Sequence, residues 1–221
     1  MTITYTGERF VPGTGGTIET EHLHRYALAR ALCAGLDVAD VACGEGYGSN
    51  LLAGRARSVV GVDIAEEAVA HARDRYARDN LRFVHGDCAA LPLETASVDL
   101  LVSFETLEHH DRHAEFLAEI KRVLRPGGVL LMSSPNRPEY ALTLAEPNHF
   151  HVRELDFDEF AALVGAHFAH TAYYAQRVLA GSQIVPLGAD EPGFRHFAAD
   201  TSETAGLVRP VYFLTLASDG A

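Results

Sequence analysis

A glycine-rich turn flanked by acidic residues is the part of this 221-residue sequence most typical of ligand binding. The turn runs Asp40-Val-Ala-Cys-Gly44-Glu-Gly46-Tyr-Gly48 and follows a short apolar run. Glycines allow a tight turn and let a ligand lie close to the backbone. The next apolar run ends in Asp63, whose carboxylate could accept hydrogen bonds from both hydroxyls of a ribose. The pattern indicates a ligand that contains a nucleoside, with a purely structural turn as the alternative.

Two such ligands fit the turn, a dinucleotide and S-adenosylmethionine. A dinucleotide site has G-x-G-x-x-G spacing and a helix N-terminus that faces a pyrophosphate. Here the spacing is G-x-G-x-G, and Asp40 and Glu45 would repel a pyrophosphate. They would attract the cationic amino-acid end and the sulfonium of S-adenosylmethionine. The charges favour that ligand, and a nicotinamide-dependent reductase is the less favoured alternative.

A second set of reactive side chains follows the fourth apolar run. At helical spacing Glu105, Glu108 and His109 would share one face, and His149 or His151 further along the chain could join them. Two carboxylates and two imidazoles could bind Mg²⁺ or Mn²⁺. His109 could instead act as a general base. Acidic residues near a helix start also have a structural explanation in the helix dipole.

The elements that would position these residues alternate between apolar runs and helical patterns, which is typical of βαβ units and a parallel sheet. Strands are predicted near Val38–Ala42, Val59–Val62, Leu81–His85, Leu100–Phe104 and Val129–Ser133. Helices are predicted near Ile18–Cys33, Ser49–Ala56, Glu66–Arg78 and Ala114–Leu124. Because βα crossovers are right-handed, the five strands should form one doubly wound sheet with helices on both faces.

The last third of the chain departs from this alternation. It predicts a helix over Asp156–Val164 and two strands over Phe168–Gln176 and Val211–Ala217, with a long connection over Gly181–Pro210. No linker or second core is visible, so a single domain over residues 1–221 is expected. Within it, residues 1–35 would form an N-terminal cap, 36–136 the cofactor-binding core, and 137–221 the acceptor side with the C-terminal strands.

Composition narrows the partners of the protein. A formal net charge of −12 argues against nucleic acid, which requires a basic surface. The apolar runs are too short to cross a bilayer, and the first ten residues lack the pattern of a signal peptide. Three scattered cysteines argue for a reducing compartment. We therefore expect a cytoplasmic protein with a small-molecule acceptor and no membrane or nucleic-acid partner, and a homodimer is left open.

Further motifs follow the later strands in a fixed order. Gly86-Asp-Cys88 follows the third strand, Val98-Asp-Leu100 opens the fourth, and Leu124-Arg-Pro-Gly-Gly128 precedes the fifth. With this ordered set, the stretch from Leu36 to Asn136 resembles the class I S-adenosylmethionine-dependent methyltransferases. The segment after the fifth strand resembles branches of that family that modify sugars and glycosylated natural products.

The resemblance implies a fold and a set of cofactor contacts. The fold is an α/β Rossmann-like methyltransferase with a seven-stranded, mostly parallel sheet of order 3-2-1-4-5-7-6, whose last strand, Val211–Ala217, is antiparallel. S-adenosyl-L-methionine is the implied cofactor. Asp40, Gly44 and Gly46 would hold its methionine part, Asp63 the ribose, and Asp87 with Cys88 the adenine. The full implied set of cofactor-binding residues is Tyr26, Asp40, Ala42, Gly44, Gly46, Asp63, Ile64, Asp87, Cys88 and Phe104. Ala42 stands where the family usually has its first glycine.

The reaction implied is methyl transfer to a hydroxyl or amine of a small polar acceptor, such as a sugar or a glycosylated natural product. Glu105, His109 and His151 are the predicted catalytic residues. Small-RNA 2′-O-methyltransferases use a similar Glu-x-x-Glu-His with a distant His, so metal-dependent RNA methylation is an alternative, as is a non-catalytic cofactor-binding module. The acidic charge weakens the RNA alternative, and no metal site is predicted.

Two segments with weak periodicity are predicted to close over the acceptor. They are the residues before Ile18, which include Phe10, and the connection over Gly181–Pro210, which includes Phe194 and Phe197. Loops on a rigid scaffold are where binding residues concentrate. A dimer contact or an exposed loop is the alternative role.

Overall fold

A computed structural model of the chain contains a seven-stranded sheet and describes residues 10–13, 15–143, 146, 148–178, 196–197, 203–204 and 211–220. In chain order the strands of this sheet are β1 (Asp37–Val41), β2 (Ser58–Asp63), β3 (Leu81–His85), β4 (Val98–Phe104), β5 (Leu124–Pro135), β6 (His170–Gln176) and β7 (Tyr212–Ser218). The helices are α1 (Gly16–Leu32), α2 (Tyr47–Ala53), α3 (Glu66–Arg75), α4 (His113–Val123), α5 (Arg137–Tyr140) and α6 (Phe157–Gly165), with 3₁₀ turns at Leu107–His109 and Ala141–Thr143. A separate two-stranded pairing joins His196–Phe197 to Glu203–Thr204.

The strand order confirms the predicted topology. The sheet runs β3-β2-β1-β4-β5-β7-β6, and β7 is antiparallel to both of its neighbours. Some element ends differ from the prediction. β5 begins at Leu124 because this residue pairs with Val98 ahead of an irregularity in the β4–β5 register. α3 ends at Arg75, since Arg78 forms an antiparallel bridge with Leu81.

The apolar runs of the central strands are buried on both faces, as a parallel sheet between helices requires. Residues of β4 alternate between two clusters: Leu101 packs with the buried side of α4 and α6, and Leu100 packs with α1 and α2. α6 begins with a capping box in which the Asp156 side chain accepts from Glu159 N, and the Glu159 side chain accepts from Asp156 N. Among the described helices, none is both long and apolar enough to span a bilayer.

One glycine of the turn lets α1 and α2 approach each other closely. A Cβ atom added at Gly48 would lie 2.0 to 2.5 Å from the ring of Tyr26. The ring therefore packs directly on the backbone at the start of α2. This contact brings α1 over the carboxyl end of β1.

Candidate active site

A cavity of about 290 Å³ lies at the carboxyl ends of β1, β2 and β4. Of the residues predicted from the sequence, those in its wall are Tyr26, Ala42, Gly44, Asp63, Ile64, Asp87, Cys88, Phe104, Glu105, His109 and His151. Ligands in open α/β sheets bind at this edge, outside the strand ends. The fold thus brings most of the predicted residues together.

Asp63 presents a fixed carboxylate to the cavity at the end of β2. Its Oδ2 accepts from Gly44 N at 2.8 Å, and its Oδ1 accepts from Ala65 N at 2.9 Å. A carboxylate oxygen can accept more than one hydrogen bond, so a ligand hydroxyl can also bind at this carboxylate. The next side chain, Ile64, is 66% exposed and offers apolar surface beside it. This geometry fits a ribose with a base next to it.

Asp40 and Gly46 lie behind the cavity wall rather than in it. Asp40 is fully buried and accepts hydrogen bonds from Ser49 Oγ at 2.6 Å and from the Tyr26 hydroxyl at 3.1 Å. Burial raises the pKa of Asp40 to about 7, although both hydrogen bonds lower it. A Cβ atom at Gly46 would lie 2.8 Å from Ala72 and from Phe83. Asp40 therefore anchors Tyr26, which lines the cavity, and Gly46 allows close packing.

Ala42 has a φ of 61°, in the left-handed region that favours glycine. A glycine would adopt this backbone conformation without strain. Ala42 is exposed and lines the cavity, so its methyl group adds little bulk at the wall.

Asp87 is engaged by a neighbouring cation at the end of the cavity predicted to hold adenine. Arg112 Nη2 lies 2.8 and 2.7 Å from its two carboxylate oxygens, and Ala89 N donates to Oδ1 at 2.9 Å. The hydrogen bonds from Arg112 lower the pKa of Asp87. Burial raises the pKa of the Cys88 thiol to about 11. Cys88 is therefore a neutral wall residue and not a thiolate nucleophile.

Glu105 is held in place by α1 and β5. Its Oε1 lies 2.6 Å from Nη1 of the buried Arg25 and accepts from Ser133 Oγ at 2.6 Å. Arg25 also stacks over the ring of Tyr212, 4.5 Å from its centroid. Glu105 has a φ of 52° and precedes the 3₁₀ turn, so it does not share a helix face with Glu108 as the spacing predicted.

Glu108, His109 and His151 form a cluster at the end of the cavity predicted to hold the acceptor. One ligand atom from each lies within 4.8 Å of the others. Glu108 is 1% exposed, and its Oε2 has no hydrogen-bond partner among the described residues. Burial and the nearby charge of Glu105 raise the pKa of Glu108 well above its usual range. The structure selects His151 for this cluster, whereas His149 is exposed and lies outside the cavity wall.

Sequence reasoning missed several aromatic and polar residues of the wall. Tyr140 lies on α5, Tyr212 begins β7, and Asn148 contacts both Tyr140 and His151. Tyr212 comes from the far end of the chain, so no local motif identifies it. Asn148 belongs to the stretch that includes His149 and His151, which was the available signal.

Two further side chains, those of His71 and Phe10, are buried. The Nε2 atom of His71 lies 3.0 Å from Glu45 Oε2. Phe10 lines the cavity and stacks on His22, with ring centroids 4.8 Å apart. Residues 1–9 and Phe194 are outside the described residues, as is most of the connection 181–210, so closure over the acceptor stays a prediction.

A family model described as a methyltransferase domain matches residues 39–132. The chain is 46% identical over 162 residues to a protein of Mycolicibacterium smegmatis named as a probable S-adenosylmethionine-dependent methyltransferase. That match covers 72% of this chain and 62% of the relative, so the chain spans about three fifths of the relative's length. A fatty-acid O-methyltransferase of the same species is 34% identical over 131 residues, which cover 55% of this chain and 47% of that protein.

Solved structures agree on the fold. The PH0226 protein of Pyrococcus horikoshii superimposes with a TM-score of 0.66 at 20% identity, covering 93% of this chain and 92% of that one.

Proposed function

Because the chain belongs to the class I S-adenosylmethionine-dependent methyltransferases, with S-adenosylmethionine as cofactor, we propose that it methylates an oxygen of a small, uncharged polar acceptor such as a sugar hydroxyl. The observation that carries this proposal is the composition of the acceptor end. Two carboxylates, Glu105 and Glu108, and two imidazoles, His109 and His151, line it.

The charges at this end argue against two other acceptors. Among the described residues, Arg112 is the one Lys or Arg in the cavity wall, and it pairs with Asp87 at the other end. A carboxylate acceptor, such as that of the fatty-acid O-methyltransferase relative, would lie beside the Glu105 carboxylate and would find no unpaired Lys or Arg in the described part of the wall. An amine would be held there as an ammonium ion, the form without a lone pair. A neutral hydroxyl meets neither difficulty, and the sugar of a glycosylated natural product provides several.

The residues of the cavity wall would have distinct roles in this reaction. When bound, S-adenosylmethionine supplies an electrophilic methyl group on a sulfonium, whose leaving group is a neutral thioether. Asp63 and Gly44 would hold its ribose side, and Asp87 its adenine. His109 and His151 would position the acceptor, since both line the cavity next to Glu108. Glu105 takes the proton at Oε2, because Arg25 and Ser133 occupy Oε1.

The proposal is tested first with an acceptor panel. A neutral methyl glycoside, the matching amino sugar, the matching uronic acid and a fatty acid are incubated with enzyme and S-adenosylmethionine, and products are identified by mass spectrometry. We expect methyl ethers of the neutral sugar. Methyl esters or N-methyl products in their place would contradict the proposal.

Variants test the residue assignments. Glu105→Gln and His151→Gln should lower kcat about 100-fold or more, because a positioned acid–base group contributes roughly 10²- to 10⁴-fold. Their affinity for S-adenosylhomocysteine should change less than threefold. His149→Gln is the matched control: it lies two residues from His151, is exposed, and should keep full activity. Equal losses in His149→Gln and His151→Gln would refute the assignment of His151.

A further inference from the structure

We propose that Glu108, His109 and His151 bind a divalent first-row metal ion of the Mn²⁺ class, and that this ion holds the acceptor hydroxyl. The inference rests on the proposed function and specifies how the acceptor is bound. It departs from the sequence prediction of no metal site.

The backbone brings the three ligands together from two segments. Glu108 and His109 lie in the 3₁₀ turn after β4, and His151 lies in the loop that follows α5. The Glu108 carbonyl accepts from Val152 N at 2.6 Å and from Arg153 N at 3.1 Å. These hydrogen bonds join the turn to the loop, so the backbone holds the three side chains close together.

Glu108 supplies the strongest argument for a cation. Its side chain is 1% exposed, and Oε2 has no partner among the described residues although the residue lines the cavity. A buried carboxylate oxygen without a partner is costly. The two imidazoles beside it supply no hydrogen bond to that oxygen. A metal ion between the three groups would satisfy it.

Hydrogen bonds to the other imidazole nitrogens set the tautomers that metal binding needs. His109 Nδ1 lies 3.0 Å from the Phe150 carbonyl oxygen, and His151 Nδ1 lies 2.6 Å from Glu154 Oε1. Both partners are acceptors, so in the neutral form of each imidazole Nδ1 carries the proton and Nε2 carries the lone pair. Metal-binding histidines commonly donate their other N–H to a carbonyl or a carboxylate in this way.

The distances and the ligand types indicate the class of ion. Ligands with bonds of about 2.1 Å lie roughly 3 to 4 Å apart around one ion, so closing the observed 4.8 Å needs side-chain shifts below about 2 Å. Asn148 Nδ2 lies 3.0 Å from His151 Nε2, so this side chain would have to move away before an ion could bind there. Imidazole ligands disfavour Ca²⁺, and a mixed nitrogen and oxygen set suits Mn²⁺ and its neighbours.

Such an ion would complement Glu105. Three protein ligands leave coordination positions for the acceptor hydroxyl and for an adjacent oxygen. A carboxylate is a weak base for an alcohol. Coordination lowers the pKa of a bound hydroxyl, so that Glu105 can accept its proton.

Binding of Mn²⁺ alone tests the inference without any turnover. The full chain with S-adenosylhomocysteine is titrated with Mn²⁺, and free Mn²⁺ is measured by electron paramagnetic resonance. We expect one site, weakened at least tenfold in Glu108→Gln and in His151→Gln and unchanged in His149→Gln. Thermal melting of each variant shows whether it is folded. If one of Glu108→Gln and His151→Gln does not fold, the other tests the metal site by itself.

The outcomes separate this inference from the proposed function. Absence of Mn²⁺ binding at millimolar concentration, or affinity unchanged in both folded ligand variants, overturns the metal site. Sugar methylation that persists in EDTA also overturns it, while the proposed function stands. Mn²⁺ binding with the expected variant pattern supports the site even if no sugar is methylated, in which case the proposed acceptor is wrong.

Discussion

Replacing Asp63 by alanine tests the cofactor site at its best-defined point. The carboxylate is held from behind by Gly44 N at 2.8 Å and by Ala65 N at 2.9 Å, so it is rigid before any ligand arrives. The substitution removes the two acceptor oxygens that would bind the ribose hydroxyls. It also leaves two backbone N–H groups without their carboxylate.

The expected loss follows from these contacts. A hydrogen bond to a charged group contributes about 1.5–3 kcal/mol, and two on one carboxylate are not fully additive. We therefore expect Asp63→Ala to weaken cofactor binding by about 2–4 kcal/mol, which raises Kd roughly 30- to 1000-fold. Asp63→Asn should lose nearly as much, because in either orientation its amide NH₂ faces one of the two backbone donors.

Calorimetric titration with S-adenosylhomocysteine measures the loss directly. Asp99→Ala is the control, since Asp99 accepts from Asp37 N and Arg125 Nη1 at the opposite end of the sheet. It removes a comparable carboxylate but should leave Kd unchanged. A Kd for Asp63→Ala within threefold of the wild type would refute the assignment of the β2 carboxylate to the ribose.

Three further predictions concern the shell of the site. Gly48→Ala should lower the free energy of unfolding in urea by about 1–3 kcal/mol, because the new Cβ meets the Tyr26 ring. A decrease below about 0.5 kcal/mol would contradict that contact. Asp40 has a pKa of about 7 in the folded state, above its unfolded value, so the folded state binds the extra proton and stability falls as pH rises from about 4 to 7. Thermal melting at several pH values should show this fall in the wild type and not in Asp40→Asn. The same pH dependence of the melting temperature in both proteins would refute the assignment of the fall to Asp40. Arg25→Leu breaks the ion pair with Glu105 and should lower the free energy of unfolding in urea by about 3 kcal/mol. An unchanged free energy of unfolding would show that the ion pair does not stabilise the fold.

The fold was predictable because each central strand is a continuous apolar run closed by a chemically distinctive residue. The run ending at Asp63 and the run ending at Phe104 both lie within one or two residues of their predicted places. Element ends were less predictable. β5 begins at Leu124 because it pairs across the sheet with Val98, and such pairing depends on residues distant in sequence.

The grouping of the predicted cofactor-binding residues was also largely predictable, because they follow strand ends directly and parallel strands end at one edge of a sheet. Asp63, Asp87 and Ala42 line the cavity as expected. Local spacing could not distinguish a wall residue from a supporting one. Asp40 belongs to the same motif, yet its carboxylate is directed to Tyr26 and Ser49.

The acceptor side was decided by tertiary structure. The spacing placed Glu105 with Glu108, but the backbone at Glu105 is left-handed, and Arg25 and Ser133 hold its carboxylate. The sequence alone determined the alternation of strands and helices, because that depends on short-range patterns of apolar residues. The family resemblance of its motifs implied the strand order, and the motifs with their charges indicated the cofactor class. The grouping of Glu108 with His151 depends on hydrogen bonds between segments more than forty residues apart, and such contacts exist only once the chain has folded.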